Sequence, residues 1–409
     1  MRRVVVTGLG CVTGLGNNWQ DIKHNMQLKK TAIKHMPMWS DIKGLNTQLG
    51  GPVVGFELPK YYLRKQTRSM GRVAQLATVS AEAALIDAKL IHDEIVLTSG
   101  RCGIAYGSCS GSTGPISDLS RIATEREVKN VTATTYVKLM SHTCAVNIAL
   151  FFGLTGRVIP TSSACTSGSQ AIGYAFEAIQ QGKADVMLAG GAEELCPSQV
   201  AIFDTLYATS LKNDQPQTTP SPFDKNRDGL VIGEGAGTLI LEELSHAQRR
   251  GAPIYGEIIG FGTNCDARHI TQPTAKMMQK AIELALMDAH LEVEKIGYIS
   301  AHGTATDRGD IAESQATYAL FSQNVPISSL KGYYGHTLGA CGAVEAILTL
   351  YMMHDGLFMP TANLNEVDPQ CAPLDYIMDK PRQLAINYFM SNNFAFGGIN
   401  TSLIFKREI

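Results

Sequence analysis

The sequence predicts an α/β fold made of two similar halves, with a boundary near residue 250. Three observations predict it. Short β-branched runs ending in small residues recur, as in Val4-Val-Val-Thr-Gly, Gly103-Ile-Ala-Tyr-Gly and Ala184-Asp-Val-Met-Leu-Ala-Gly-Gly. Alanine-rich runs of helical character, such as residues 73–88, lie between them. Strands this apolar, alternating with helices, indicate sheets buried under helices. Finally, the order of elements in the first half recurs in the second.

The elements follow in chain order. The N-terminal run Met1-Arg-Arg-Val-Val-Val-Thr-Gly has three apolar residues before Thr7, too few for a secretory signal, so it reads as a first strand. An apolar run at 157–160 leads into the small-residue loop Thr161-Ser-Ser-Ala-Cys-Thr-Ser-Gly-Ser-Gln170 and a helical run at 171–182. A strand ending in Gly190-Gly191 comes next. Residues 213–222 form a polar, proline-containing loop. Ile258-Ile-Gly-Phe-Gly-Thr-Asn then resembles the first strand. Strands at 296–300 and 325–330 follow, and the block from Val325 resembles the block from Val158: strand, small-residue loop, helix, then a strand ending in Gly397-Gly398. This shared order indicates an internal duplication, with units 1–250 and 251–409.

A net charge of −2 leaves no global basic field for nucleic acid or an anionic membrane, so any anionic partner must meet a local patch. The nine cysteines are odd in number and include no C-x-x-C pair. In a chain of 409 residues that argues against a disulfide framework or structural zinc and favours a reducing cytoplasm. No apolar stretch approaches the ~20 residues that span a bilayer.

Cys165 sits among Ser, Ala, Thr and Gly, between a strand and a helix. A packing cysteine needs no such ring of small residues, whereas a nucleophile needs substrate to come close. The helix N-terminus also favours a thiolate. Two histidines occupy equivalent places just beyond strands, His302 in Ala301-His-Gly-Thr-Ala-Thr and His336 in Lys331-Gly-Tyr-Tyr-Gly-His. Strand ends on one edge of a sheet are where α/β proteins gather site residues. The glycine-rich turn Asn392-Asn-Phe-Ala-Phe-Gly-Gly-Ile-Asn400 can expose backbone N–H groups suited to an oxyanion.

With these motifs the chain resembles the elongating β-ketoacyl-acyl-carrier-protein synthases of the thiolase superfamily, from Val4-Val-Val-Thr-Gly to Ser402-Leu-Ile-Phe. The resemblance implies a thiolase-like fold, its duplicated βαβ halves stacked as α-β-α-β-α. It implies that Cys165 takes an acyl chain as a thioester, with the backbone N–H groups of Cys165 and Phe396 holding the oxyanion. His302 and His336 would polarise the malonyl thioester carbonyl, Lys331 would support the histidines, and Glu345 would stand behind them. Phe396 matches a gate to the acyl pocket. Thr304 and Thr306 would meet the pantetheine arm, and Phe394 and Ser110 fall at substrate-binding positions. Asp310 and Glu313 match a position that can hold a monovalent cation, with a structural salt link as the simpler reading. Asp224, Arg227 and Asp228 read as a buried network. No cofactor is implied.

The implied partner is an acidic acyl carrier protein, acyl- or malonyl-loaded. It would dock on Arg64, Lys65, Arg68 and Arg72, with Lys212 as an addition. A solvated helix face explains the same charges equally well. Family members are dimers, with residues 133–146 at the two-fold; a homodimer, or a heterodimer with a chain-length-factor homologue, is expected.

The chain departs from the family pattern at four places: Ala395 replaces a glycine, Asp307-Arg308 a proline-containing turn, Gly332 a serine, and Ser110 a bulky aliphatic. Together they point away from housekeeping elongation of saturated chains and toward polyene or other polyketide-like chain building. Two other enzyme classes use a reactive cysteine. A thiolase or coenzyme-A-dependent initiating synthase commonly pairs one histidine with a second cysteine or an asparagine. A cysteine-dependent acyl hydrolase would release acid to water. A non-catalytic scaffold would have no need of Cys165, His302, His336 and Lys331 together.

Overall fold

The computed structural model describes residues 1–407. Eleven strands among these residues form one sheet: β1 (Val4–Thr13), β2 (Cys102–Gly107), β3 (Val158–Thr161), β4 (Val186–Glu193), β5 (Gly235–Glu243), β6 (Gly256–Cys265), β7 (Tyr298–Ser300), β8 (Pro326–Ser328), β9 (Asp375–Tyr376), β10 (Tyr388–Phe394) and β11 (Ile399–Lys406). The spatial order is β9-β8-β7-β10-β11-β6-β1-β5-β4-β2-β3.

The order reads symmetrically outward from the central β1–β6 pair. On one side β5 and β4 are antiparallel to their inner neighbours, then β2 and β3 run parallel. On the other, β11 and β10 are antiparallel and β7 and β8 parallel. β1 and β6 join only through Val4–Val6 against Gly256–Ile258.

Six helices complete the layers: α1 (Arg72–Asp87), α2 (Thr143–Phe152), α3 (Ser167–Gln180), α4 (Ala275–Asp288), α5 (Asp307–Phe321) and α6 (Cys341–Asp355). α1 and α2 cover the outer face of the first sheet half, and α4, backed by α5, covers that of the second. α3 and α6 pack on each other and on strands of both halves, forming the middle layer. Twelve of the fifteen α6 residues are buried, because sheet or helix meets nearly every face of the helix. The predicted duplicate motifs thus supply the two innermost helices.

These helices approach the sheet at backbone distance. A Cβ on Gly191 of β4 would lie 2.3 Å from the Gly339 carbonyl oxygen, and one on Gly168 of α3 2.9 Å from the same atom. The pair Gly190-Gly191 does not end its strand as predicted, since β4 runs on to Glu193. Gly397 (φ +85°) and Gly398 (φ +75°) do form a turn beyond β10.

The middle layer is therefore sensitive to one methyl group. We expect Gly191→Ala to lower stability by about 1–3 kcal/mol through overpacking, read as a lower urea midpoint at unchanged slope.

Candidate active site

Cys165 lies two residues ahead of α3, after a tight turn from β3. Ala164 holds φ +51°, a left-handed conformation unfavourable for a residue with a Cβ. The turn is braced within itself: Ser167 Oγ donates to the Ala164 carbonyl (2.7 Å) and accepts from the Ser163 N–H (2.9 Å). Cys165 is buried, beside Cys341 and the Ala395 methyl. The Cys341 thiol donates to the Cys165 carbonyl at 3.2 Å. Ala395, the residue replacing a glycine, is thus a wall of the Cys165 pocket.

Both histidines reach the sulfur. Reactive atoms of Cys165, His302 and His336 all lie within 4.8 Å of one another. His336 Nε2 is 3.0 Å from Sγ. Its Nδ1 accepts from the Leu338 N–H at 3.3 Å, which assigns the proton to Nε2. His302 Nδ1 faces two donors, Lys331 Nζ at 3.3 Å and Asn393 Nδ2 at 3.4 Å, so its Nε2 also carries the proton. Burial, reinforced by the Lys331 charge, holds both imidazoles well below the ordinary histidine pKa. They are neutral N–H donors.

Lys331 is fully buried. Its three ammonium protons have three acceptors: the Glu345 carboxylate, the His302 carbonyl (2.5 Å) and His302 Nδ1. Burial works to lower the Lys331 pKa, but Glu345 outweighs it and keeps the ammonium charged. Glu345, on α6, is buried and bonded, not on an exposed helix face. Its other oxygen accepts from Asn393 Nδ2 at 2.8 Å. Asn393 escaped the sequence reading, although it lies inside the Asn392–Asn400 motif; an asparagine beside an aromatic in a strand carries no signature of its own.

The expected thiolate is not found. The helix terminus does not dominate; burial does, pushing the Cys165 thiol up to about 12 against the counteraction of Lys331 and of the Phe396 and Cys165 N–H groups. Those same two N–H groups face the sulfur, as the turn motif predicts.

The His302 loop hangs on two buried carboxylates of α5. Glu313 accepts from the N–H groups of His302 and Gly303 (both 2.7 Å). Asp310 accepts from Thr304 (3.0 Å), Ala305 (3.2 Å) and Phe223 (2.7 Å). Arg227 bonds Asp368 at 2.5 Å and lies 3.7 Å from Asp310, while Asp224 accepts from the Asn365 and Glu366 N–H groups. Asp224 and Arg227 thus lie in a network as expected, but Asp228 does not: it is exposed and accepts from Ser210 Oγ (3.0 Å) and the Leu211 N–H (2.8 Å) instead. Arg227 and Asp228 also line the cleft.

That cleft, of about 440 Å³, leads to Cys165 past Thr304, Thr306, Phe394 and Phe396. Its mouth carries Arg308, His269 and two exposed apolar residues, Tyr207 (90 %) and Ile270 (71 %). Thr304 and Thr306 bond each other at 2.9 Å. The Phe394 ring meets His302 edge-on at 6.2 Å, and Phe396 packs on Phe203 at 5.1 Å. Ser110 is not on this cleft; it accepts from Gln199 Nε2 at 2.9 Å. Gly332, replacing a serine, leaves room for Ala362, whose carbonyl oxygen would lie 2.8 Å from a Cβ there.

The basic run divides. Arg72 is held by Glu234 through Nε (2.9 Å) and Nη2 (2.6 Å) and lies over the Phe56 ring, so its guanidinium is an internal anchor. Lys212 bonds the Asn226 carbonyl at 2.9 Å. No ion pair engages Arg64, Lys65 or Arg68 among the described residues. All nine cysteines are free, and no helix is long and apolar enough to cross a membrane.

A protonated, buried thiol makes a pH prediction. Its raised pKa means the thiolate fraction still grows above pH 7. We expect iodoacetamide alkylation of Cys165, followed by peptide mass, to rise about tenfold per pH unit from 7 to 9. A plateau near pH 7 would contradict the burial argument.

Residues 1–247 match the family model "Beta-ketoacyl synthase, N-terminal domain" and residues 255–365 "Beta-ketoacyl synthase, C-terminal domain". The 3-oxoacyl-[acyl-carrier-protein] synthase 2 of Synechocystis sp. is 36% identical over 99% of this chain and 98% of its own. A β-ketoacyl synthase crystal structure from Burkholderia phymatum superposes with a TM-score of 0.99 at 56% identity over 100% of both chains. A type II PKS acyl-carrier protein complexed with its ketosynthase, bound to the hexaketide, gives 0.88 at 31% identity, also over 100% of both. The family match reaches into both sheet halves and covers the loops bearing Cys165, His302 and His336, and this chain belongs to the β-ketoacyl synthases, with their thiolase-like fold.

Proposed function

We propose that this protein extends acyl chains by two carbons through decarboxylative Claisen condensation with malonyl carrier protein, in fatty-acid or polyketide-type biosynthesis. One observation carries the residue assignments: a buried thiol and two neutral imidazole N–H groups share one pocket.

The Cys165 sulfur attacks the acyl thioester of the carrier protein. The bond from carbonyl carbon to pantetheine sulfur breaks, and the carrier thiol leaves with the cysteine proton. The covalent intermediate divides one hard transfer into two easier ones. Malonyl carrier protein then enters. As its carboxylate leaves as CO2, the electron pair of the broken C–C bond moves onto the thioester oxygen. Nε2–H groups of His302 and His336 meet that enolate oxygen. The enolate carbon attacks the acyl-Cys165 carbonyl, whose oxyanion rests on the N–H groups of Cys165 and Phe396. The C–S bond breaks, the cysteine recovers a proton from solvent, and a 3-ketoacyl thioester departs.

Neutral imidazoles suit this work. They donate hydrogen bonds to a developing oxyanion in a dry pocket, where such bonds are strong. His336 cannot also accept the cysteine proton at Nε2 in this tautomer, so it steadies charge on sulfur instead. The neutral donor pair with Lys331 also separates this site from a hydrolase, which would need one imidazole as general base. Lys331, Glu345 and Asn393 orient His302; Asp310 and Glu313 are loop anchors in this reading.

Arg64, Lys65 and Arg68 form the free basic patch that an acidic carrier protein would meet, with the apolar mouth at Tyr207 and Ile270 receiving its pantetheine arm. A dimer, with itself or with a chain-length-factor homologue, would cover the open edge strand β3 and the exposed Tyr136 and Leu150. The mirrored strand order supports duplicated units at 1–250 and 251–409, the first bearing the nucleophile and the second both histidines. Nine free cysteines suit a cytoplasmic protein.

Intact-protein mass spectrometry after incubation with acyl carrier proteins should show a thioester on Cys165 that Cys165→Ala lacks. An adduct on another residue would overturn the assignment. His302→Ala and His336→Ala should still load acyl chains but release CO2 from malonyl carrier protein about 100-fold more slowly or worse. Charge reversal of Arg64, Lys65 and Arg68 together should raise KM for the carrier roughly tenfold at low salt, with the effect shrinking at high salt.

A further inference from the structure

Ser110 lies off the cleft, in a cluster of buried polar groups behind it. Gln199 and Phe203 stand one turn apart on the helix Pro197–Asp204, so they share a side. Phe203 lines the cleft and packs on Phe396, whose N–H faces the nucleophile. Phe203, Phe396, Val200, Leu338 and Cys109 belong to one apolar cluster. This is the apolar region behind the Phe203–Phe396 pair, and it stops at polar groups. Gln199 Nε2 donates to Ser110 Oγ (2.9 Å) and to Glu193 Oε1 (3.2 Å). Glu193 Oε2 accepts from the N–H groups of Cys109 (2.7 Å) and Gly339 (3.2 Å). Ser162, three residues before Cys165, donates to the Cys109 carbonyl at 3.1 Å, which ties this loop to the nucleophile's.

The Glu193 carboxylate fixes the orientation of the Gln199 amide, since only Nε2 can donate to it. Oε1 is therefore turned away from Glu193. That oxygen is buried, in a residue only 6 % exposed, and no donor among the described residues bonds it. A buried acceptor without a donor is costly. A saturated chain end packed here would leave the cost in place, and a hydroxyl would remove it.

We propose that Gln199, with Ser110, selects acyl chains carrying a hydroxyl at their far end, the hydroxyl donating to Gln199 Oε1. This rests on the ketosynthase reading above and names its substrate class. A site built to hydrogen-bond a hydroxyl rejects the analogue lacking it far more strongly than an apolar pocket rejects an extra methylene. The polar Ser110 in place of a bulky aliphatic then has a reason: its Oγ holds the Gln199 amide.

The test uses the whole protein and carrier protein charged with matched pairs, a saturated chain and the same chain with a terminal hydroxyl, at six, eight and ten carbons. The rate of thioester formation on Cys165 is read by intact mass at limiting carrier. In at least one pair the hydroxylated chain should load about tenfold faster or more. Gln199→Leu should abolish that preference and speed the saturated partner. Equal loading in all three pairs, or faster loading of the saturated chain, by the unmodified protein would overturn the proposal and leave the condensing activity standing. So would an undiminished hydroxyl preference in Gln199→Leu. The comparison within the unmodified protein decides the matter even if the variant folds poorly. Loading of no chain, with no CO2 from malonyl carrier protein, would instead sink the ketosynthase reading itself.

Discussion

The active site depends on one buried ion pair. Lys331 and Glu345 lie out of reach of water, where an isolated charge of either sign is prohibitively costly. Each is tolerable only because the other is there and because every remaining proton has an acceptor. Those acceptors belong to His302: its carbonyl and its Nδ1 both take the lysine. The electrostatic requirement of the pair thus becomes a geometric one on the imidazole. It sets which nitrogen carries the proton and where the Nε2–H points. Asn393 closes the arrangement by bonding the second Glu345 oxygen.

The same pair shapes the chemistry around it. Burial, reinforced by the lysine charge, keeps both histidines neutral, so each presents an N–H to the pocket. It also draws the Cys165 thiol toward ionisation, but burial prevails and the sulfur stays protonated at rest. A dry pocket raises the cost of the thiolate and strengthens every hydrogen bond to an enolate. In the proposed mechanism, the fold would accept a sluggish resting nucleophile in exchange for a site that holds developing oxyanions well.

Those donors are positioned by rigid, close-packed elements. α3 and α6 form the middle layer, with glycines letting backbone touch backbone at Gly191, Gly168 and Gly339. Cys165 precedes α3, Lys331 and His336 lie shortly before α6, and His302 leads into α5 on two buried carboxylates. The strained Ala164 turn is sustained because its neighbours are hydrogen-bonded on both sides.

Much of this was legible in the sequence. The buried strands were legible because burying both faces of a strand forces a continuous apolar run, and the repeated strand–loop–helix order was the reason to expect two similar halves. Cys165, His302, His336 and the Phe396 turn could be singled out because each sits among small neighbours beyond a strand, whereas Lys331 entered only through the family resemblance. The sequence could not say how those charges balance. Whether Cys165 is a thiol or a thiolate depends on burial, and burial is a property of the packed interior. Arg72 reads as part of a basic run, yet only folding brings Glu234 to it across 162 residues. Asn393 has no signature of its own within its motif and Gln199 lies in none, and each bonds a residue far along the chain, Glu345 and Ser110 respectively. Residue types and their local order are written along the chain, whereas desolvation and hydrogen-bond partnership are set by which distant segments meet, and tertiary structure alone decides that.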